Sequence, residues 1–285
     1  MDATYISLII FIVVTVIYYM FKPKQSIEMI EDTSDKLLSD FTKSGYMYLI
    51  IYFLIIVVSQ FFINASVLVN KCGGSISQNI GASAVMTFIP WVFIFGSLML
   101  VLMIFPGFKS AFSNVVGYFV VAGQANEILA NLLVNTDLQN TMEKENVSAE
   151  EQKDLQRSAE AIIKICGNIS VMINQIVPDN FRSYWKMLTP LMKKQYFGPG
   201  GAPTPELMEL KEKLLGVVVM RDNIGEALWY IYAAVLLISI IQYKIVSCPC
   251  VKTPAQIAEM HQQFLDEEEQ AAAVKNKLNS QAYVG

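Results

Sequence analysis

A chain of 285 residues with 54% hydrophobic residues, 16% charged residues and a mean hydropathy of +0.42 is too apolar for an ordinary soluble protein. The net charge of −4, with no cluster of basic residues to neutralise phosphates, argues against a nucleic-acid partner. Four cysteines are too few for a disulfide scaffold in a chain of this size.

The apolar residues are clumped, so length becomes the test: a helix needs roughly 20 of them to cross about 30 Å of hydrocarbon. The first run, Ala3 to Phe21, carries no charge and ends at Lys22, Pro23 and Lys24. It follows Asp2 rather than basic residues and is longer than a signal-peptide core, so it reads as a retained anchor. Residues 25–44 read as a polar loop, with Leu37, Leu38 and Phe41 spaced for a short surface helix. A second uncharged run covers Gly45 to Asn70 and opens on Tyr46, Tyr48 and Tyr52, rings that favour a membrane interface. Lys71 to Ser75, with Gly73 and Gly74, is a tight turn. The third run, Ile80 to Phe105, is interrupted by Pro90, which should kink it.

The stretch from Phe105 to Tyr118 marks a change of solvent. Pro106 and Gly107 end the third span, and Phe108 and Phe112 are placed to sit in the headgroup layer, so Phe105, Pro106, Gly107, Phe108, Phe112 and Tyr118 form an expected membrane-interface hinge. The next apolar run, Val115 to Ala122, is too short to cross and reads as the first buried helix of a water-facing domain. Ile128, Leu129, Leu132 and Leu133 then share a helical stripe, and 135–146 is a polar connection. Ser148 and Glu151 frame a capping box for a helix expected to reach Val177, where Pro178 stops it. Thr204, Pro205 and Glu206 read as an N-cap, a first-turn proline and a favourable acid, opening a helix that runs on into a fourth apolar run, Ala227 to Tyr243. Beyond it, a capping box at Thr253 to Gln256 opens an amphipathic tail carrying Ile257, Met260 and Phe264.

The fold class that follows is all-α: about four transmembrane helices, with a helical membrane-proximal domain inserted between spans three and four. Its parts are 1–105 with three spans, 106–223 as the domain, 224–246 as the fourth span and 247–285 as the tail. Lysine and arginine near span ends mark the cytosolic face. Lys22, Lys24, Lys36, Lys43, Lys109 and Arg221 stand on the domain's side, against Lys71, Lys244 and Lys252 on the other, which makes the domain cytosolic. Cys72, Cys248 and Cys250 then share the lumenal side, where oxidation to a bridge from Cys72 to one of the other two is one expectation, with palmitoylation or free thiols at Cys248 and Cys250 as the alternatives. Of the Asn-x-Ser sequons, Asn146 and Asn168 fall on the cytosolic side, and Asn64 too close to the bilayer for a glycan.

Catalytic chemistry has little to work with. His261 is the single histidine and reads as a solvated tail residue; with Cys248 and Cys250 it is a poor match to zinc-ligand spacing, and no metal or other cofactor is called for. Glu127, Asp222 and Glu226 flank apolar runs, where a solvated or salt-bridged role outweighs an ion path. Val116, Gly117 and Tyr118 echo part of a potassium-channel filter but lack its threonine step and closing glycine. Arg182, Trp185, Lys186, Lys193 and Lys194 form a basic aromatic stretch suited to a partner or to lipid headgroups, or equally to a helix with one aromatic core face.

The run from Phe105 through Lys109, Phe112, Asn114 and Gly117 to Tyr118 resembles a segment of multi-span virion membrane proteins of large icosahedral nucleocytoplasmic DNA viruses, of the chlorella-virus and iridovirus type. The resemblance implies a structural, non-enzymatic role as a minor capsid protein. Such a protein sits in the inner membrane beneath the capsid, a bilayer drawn from host endoplasmic reticulum. Its implied partners are lipid and the major and other minor capsid proteins, in a homo- or hetero-oligomer. The alternative is a membrane channel or transport protein.

Overall fold

A computed structural model of the protein describes residues 3–32, 36–133, 169–250, 257–258 and 261–272. Its helices are α1 (Ala3–Phe21), α2 (Ile27–Glu31), α3 (Lys36–Cys72), α4 (Ile76–Ile104), α5 (Tyr118–Leu132), α6 (Ile169–Gln175), α7 (Phe181–Leu188) and α8 (Pro205–Ser247). No strand occurs among the described residues; the bridges Leu133–Met192 and Phe197–Pro203 are isolated. Four helices, α1, α3, α4 and α8, are long and apolar enough to cross a membrane.

These four pack around one core. Phe11, Tyr18, Tyr52, Trp91, Phe95 and Tyr230 fill it with rings, and Leu68, Leu102, Leu237 and Ile241 close it along its length. Phe95 stands edge-on to Phe11 at 5.7 Å, and Tyr18 stacks on Tyr52 at 4.5 Å, arrangements in which aromatic quadrupoles attract. Polar side chains also meet between the helices, where each buried donor or acceptor needs a partner. Ser7 donates to Gln60, Asn64 donates to Thr87 at 3.0 Å, and Gln242 donates to Asn64 at 3.0 Å. The sequon Asn64 is therefore a buried packing residue in mid-helix.

Pro90 cannot supply a helical N–H, and the turn after it widens to a π-helix over Trp91–Phe95, which resets the ladder without ending α4. The tight turn at 73–74 is also as expected: Gly73 and Gly74 have φ of 74° and 80°, a region costly for other residues.

The loop expected over 25–44 is largely helix. Ser26 accepts from the Met29 amide to cap α2, and Asp32 accepts from the Leu37 amide at 3.0 Å, beside the start of α3. With that amide satisfied and no proline to follow, Leu37, Leu38 and Phe41 become the opening turns of a 37-residue helix. At about 1.5 Å per residue α3 is roughly 55 Å long, so much of it must project beyond any bilayer.

A second core lies beyond the first. Val121, Ala125, Leu129 and Leu132 of α5 meet Met172, Ile173 and Ile176, Phe181 and Leu188 of α7, and Leu207, Leu214 and Val218 of α8. Ile30 of α2 joins them, so part of the segment expected as a polar loop is a component of this unit. Helix α8 belongs to both cores and passes residues 223 and 224 without a break.

The hinge differs from expectation. Pro106–Lys109 is a 3₁₀ turn, and Ser110–Phe112 and a π turn at Ser113–Gly117 then lead straight into α5. Val115 to Ala122 is not a buried helix. Only Gly117 and Val121 face inward, while Val115, Val116, Phe119 and Val120 are exposed, Phe119 to 83%. The reason is the crossing with α8, which takes up one stripe of this helix and leaves the opposite one without protein cover.

The capping boxes at Ser148 and Thr253, the 135–146 connection, Asn146, Asn168 and Lys252 lie outside the described residues. The described tail, 257–258 and 261–272, is helical, with Ile257, His261, Phe264 and Leu265 exposed.

Candidate functional site

Where the two cores meet, α8 carries Arg221, Asp222, Asn223 and Glu226 within two turns. A continuous helix places residues three or four apart on one face. Asp222 and Glu226 therefore point together at the ends of α1 and α4, where Lys22 and Lys109 stand. Lys109 Nζ lies 3.0 Å from Asp222 Oδ2 and 2.8 Å from Glu226 Oε2; Lys22 Nζ lies 3.1 Å from Glu226 Oε1 and donates to Asn223 Oδ1 at 2.9 Å. Tyr19 donates to Glu226 at 3.1 Å and Tyr230 at 3.4 Å.

The cluster is neutral, two cations against two carboxylates, and is withdrawn from solvent. The Glu226 side chain is 7% exposed and those of Lys109 and Asp222 14% and 15%. Burial disfavours the Lys109 ammonium, yet the Glu226 and Asp222 carboxylates outweigh it and hold its pKa above the ordinary lysine value. A buried charge set of this kind is costly to desolvate and costlier to break, so it fixes one relative arrangement of the helices that supply it.

Arg221 faces the other way. It is fully buried, and its guanidinium donates to the carbonyls of Ile173 and Ile176, the latter at 2.7 Å, and to the Asn174 side chain. The Ile173 carbonyl also accepts from the Ile176 amide, and the guanidinium fork adds charged donors to it and to the Ile176 carbonyl just past the helix end, fastening α6 to α8. Trp229 Nε1 donates to the Phe108 carbonyl at 2.9 Å, and Phe112 packs edge-on to Trp229 at 5.0 Å, so the hinge is tied to α8 by both backbone and ring.

The expected interface residues are thus divided. Phe105 and Phe108 are exposed, Pro106 and Gly107 form the turn, and Phe112 and Tyr118 are half-buried. The basic aromatic residues are divided too. Trp185 stacks on Phe181 and lies under the Lys211 ammonium, which pairs with Glu31. Lys193 Nζ donates to the Ala130 carbonyl at 3.0 Å near the end of α5. Arg182, Lys186 and Lys194 are exposed, the first two one turn apart on α7. Glu127 is exposed, and Asp222 and Glu226 are salt-bridged.

At the opposite end of the bundle Cys72 is bonded to Cys250, with Cα atoms 5.3 Å apart, and Cys248 is a free thiol. Beside the bridge, Lys71 Nζ donates to the carbonyls of Ile245, Val246 and Cys248, closing the C-terminus of α8. After a proteolytic cut between α4 and α8, the two fragments should migrate together without reductant and separate with it, in wild type but not in Cys72→Ser. The same substitution should lower stability by about 2–4 kcal/mol. Fragments that separate equally well without reductant would refute the bridge.

The sequence singled out Glu226 and Asp222 without their partners. The readable signal was that the ends of α1 and α4 and the entry of α8 into its apolar run all carry charge on one side, with signs that balance. Comparison with family models, curated proteins and solved structures returns no match for this chain.

Proposed function

We propose that the chain is a four-span membrane protein whose second helical unit is rigidly fixed to the bilayer surface. In this reading it is a structural virion protein that ties an inner membrane to an icosahedral capsid shell, as the resemblance at Phe105 to Tyr118 implies. The observation that carries the reading is α8: one 43-residue helix shared by both cores, locked where they meet by the Lys22–Glu226–Lys109–Asp222 cluster. A transporter would need a path or a moving joint there. Inward of the cluster the bundle axis is filled by Tyr52, Trp91, Phe95 and Tyr230.

In the proposed placement the unit faces the cytosol during assembly and the shell in the particle. Of the six cations on that side, Lys22, Lys109 and Arg221 are held by internal partners and Lys43 lies 3.9 Å from the exposed Asp40, while Lys24 and Lys36 remain as flanking charges. The unit's exposed Arg182, Lys186 and Lys194 offer a basic surface to the shell.

The test is chemical crosslinking of purified particles followed by graded detergent extraction. Crosslinks from the 169–223 region to capsid proteins, and retention with the shell after lipid is removed, are expected. Complete release with lipid and no capsid crosslinks would remove the anchoring role.

A further inference from the structure

A groove of about 800 Å³ runs along the seam between α1 and α8. Its volume lies in the range of ligand sites, roughly 300–1,000 Å³. Ile12, Val16 and Met20 of α1 face Ala227 and Ile231 of α8 across its inner part. In its outer part the wall after α1 is polar, with Lys22, Lys24, Gln25 and Ser26, while the α8 wall carries Asn223 and then the apolar Met220, Val219 and Leu215.

The wall formed by α1 and the segment after it is therefore graded along one axis, apolar within and polar at the mouth. From Lys22 to Ile12 the apolar wall extends ten residues, about 15 Å at 1.5 Å per residue. That is half of a hydrocarbon core of about 30 Å, the depth of one leaflet. The two lysines at its mouth are not equivalent. Lys22 is held by Glu226 and Asn223, whereas Lys24 is exposed and has no hydrogen bond or ion pair among the described residues. Glu212 lies at the outermost end, where it repels a phosphate and confines it to the level of Lys24. With Lys22 neutralised by Glu226, Lys24 is the cation at the mouth left for a phosphate.

We infer that this groove is a binding site for one anionic glycerophospholipid, with an acyl chain along Val16 and Ala227 and its phosphate at Lys24. Such a lipid completes the wall that α1 and α8 leave open and presents its charge to the cation that has no protein partner. The inference rests on the bilayer placement proposed above. That placement is tested separately, by whether the chain stays in the membrane pellet under alkaline carbonate.

The lipid site is tested on the purified full chain in non-ionic detergent by native mass spectrometry. Phosphatidylglycerol and phosphatidylcholine with identical acyl chains are added in equal amounts. Wild type should retain one phosphatidylglycerol per chain, in preference to phosphatidylcholine by about fivefold. Lys24→Glu should abolish the preference, and Val16→Trp should cut retention of both lipids; both positions are exposed, so neither substitution opens the core. Soluble glycerol 3-phosphate at the same concentration should displace nothing. Equal retention of the two lipids by wild type, retention unchanged in both variants, or displacement by glycerol 3-phosphate would each overturn the site.

Discussion

Glu226→Leu is expected to destabilise the protein by about 3 kcal/mol, and Lys22→Met in the same chain to restore most of that loss. The carboxylate neutralises two ammonium groups at once, and removing it leaves Lys109 with Asp222 and Lys22 with no anion, held by the Asn223 amide and the rings of Tyr18 and Tyr19. Breaking a buried ion pair from one side costs roughly 3–5 kcal/mol because a charge stays buried without its partner. The low end applies because the Lys22 side chain is 22% exposed and can regain some water. Removing Lys22 together with Glu226 leaves Lys109 and Asp222 as a neutral pair at 3.0 Å, and exchanging a whole buried pair for apolar groups is often neutral. A double-mutant cycle on detergent-solubilised protein, read by thermal unfolding, measures the coupling directly. Additive single effects would mean that the two groups do not act as a pair.

Much of the architecture can be read from the sequence because a helix long and apolar enough to cross a membrane is a one-dimensional pattern. Length, absence of charge and flanking lysines are local properties, so α1, α4 and the inner half of α8 announce themselves, and so do the glycine turn at 73–74 and the kink at Pro90. Long-range partners are not local properties. Leu37, Leu38 and Phe41 look like a separate surface helix because nothing nearby in sequence says that α3 continues across Gly45 to meet them. Val115 to Ala122 looks like a core helix on composition, but which face is covered depends on α8, about a hundred residues on. Lys193 and Trp185 look like a binding surface until Ala130 and Lys211 are placed against them. The charge cluster was half-visible for the same reason: acids at the edge of an apolar run are legible, and the lysines that neutralise them come from two other helix ends.

Gly225→Ala is expected to destabilise by about 2–3 kcal/mol, whereas Gly216→Ala, nine residues earlier on the same helix, should stabilise slightly. In a helix interior alanine is normally better than glycine by about 1 kcal/mol, so the sign of each change is decided by what surrounds it. A methyl group on Gly225 would stand 2.7 Å from Ser113 Cβ, 2.8 Å from the Lys109 carbonyl oxygen and 2.9 Å from the Ser113 amide nitrogen. Two of these are backbone atoms of the turn that carries Lys109, so relief requires moving the hinge itself. Gly216 has nothing within 4 Å of the same position. Overpacking in a filled site costs roughly 1–3 kcal/mol, and here it adds the displacement of Lys109 from Asp222 and Glu226. The crossing is tight from the other side too, since a methyl on Gly117 would stand 2.7 Å from the Arg221 carbonyl oxygen. Glycines at helix crossings let backbones approach in just this way. The measurement is the unfolding midpoint of the two alanine variants against wild type. Equal tolerance at 216 and 225 would mean that the hinge and α8 do not meet at this distance, and the joint on which the anchoring role depends would be lost with it.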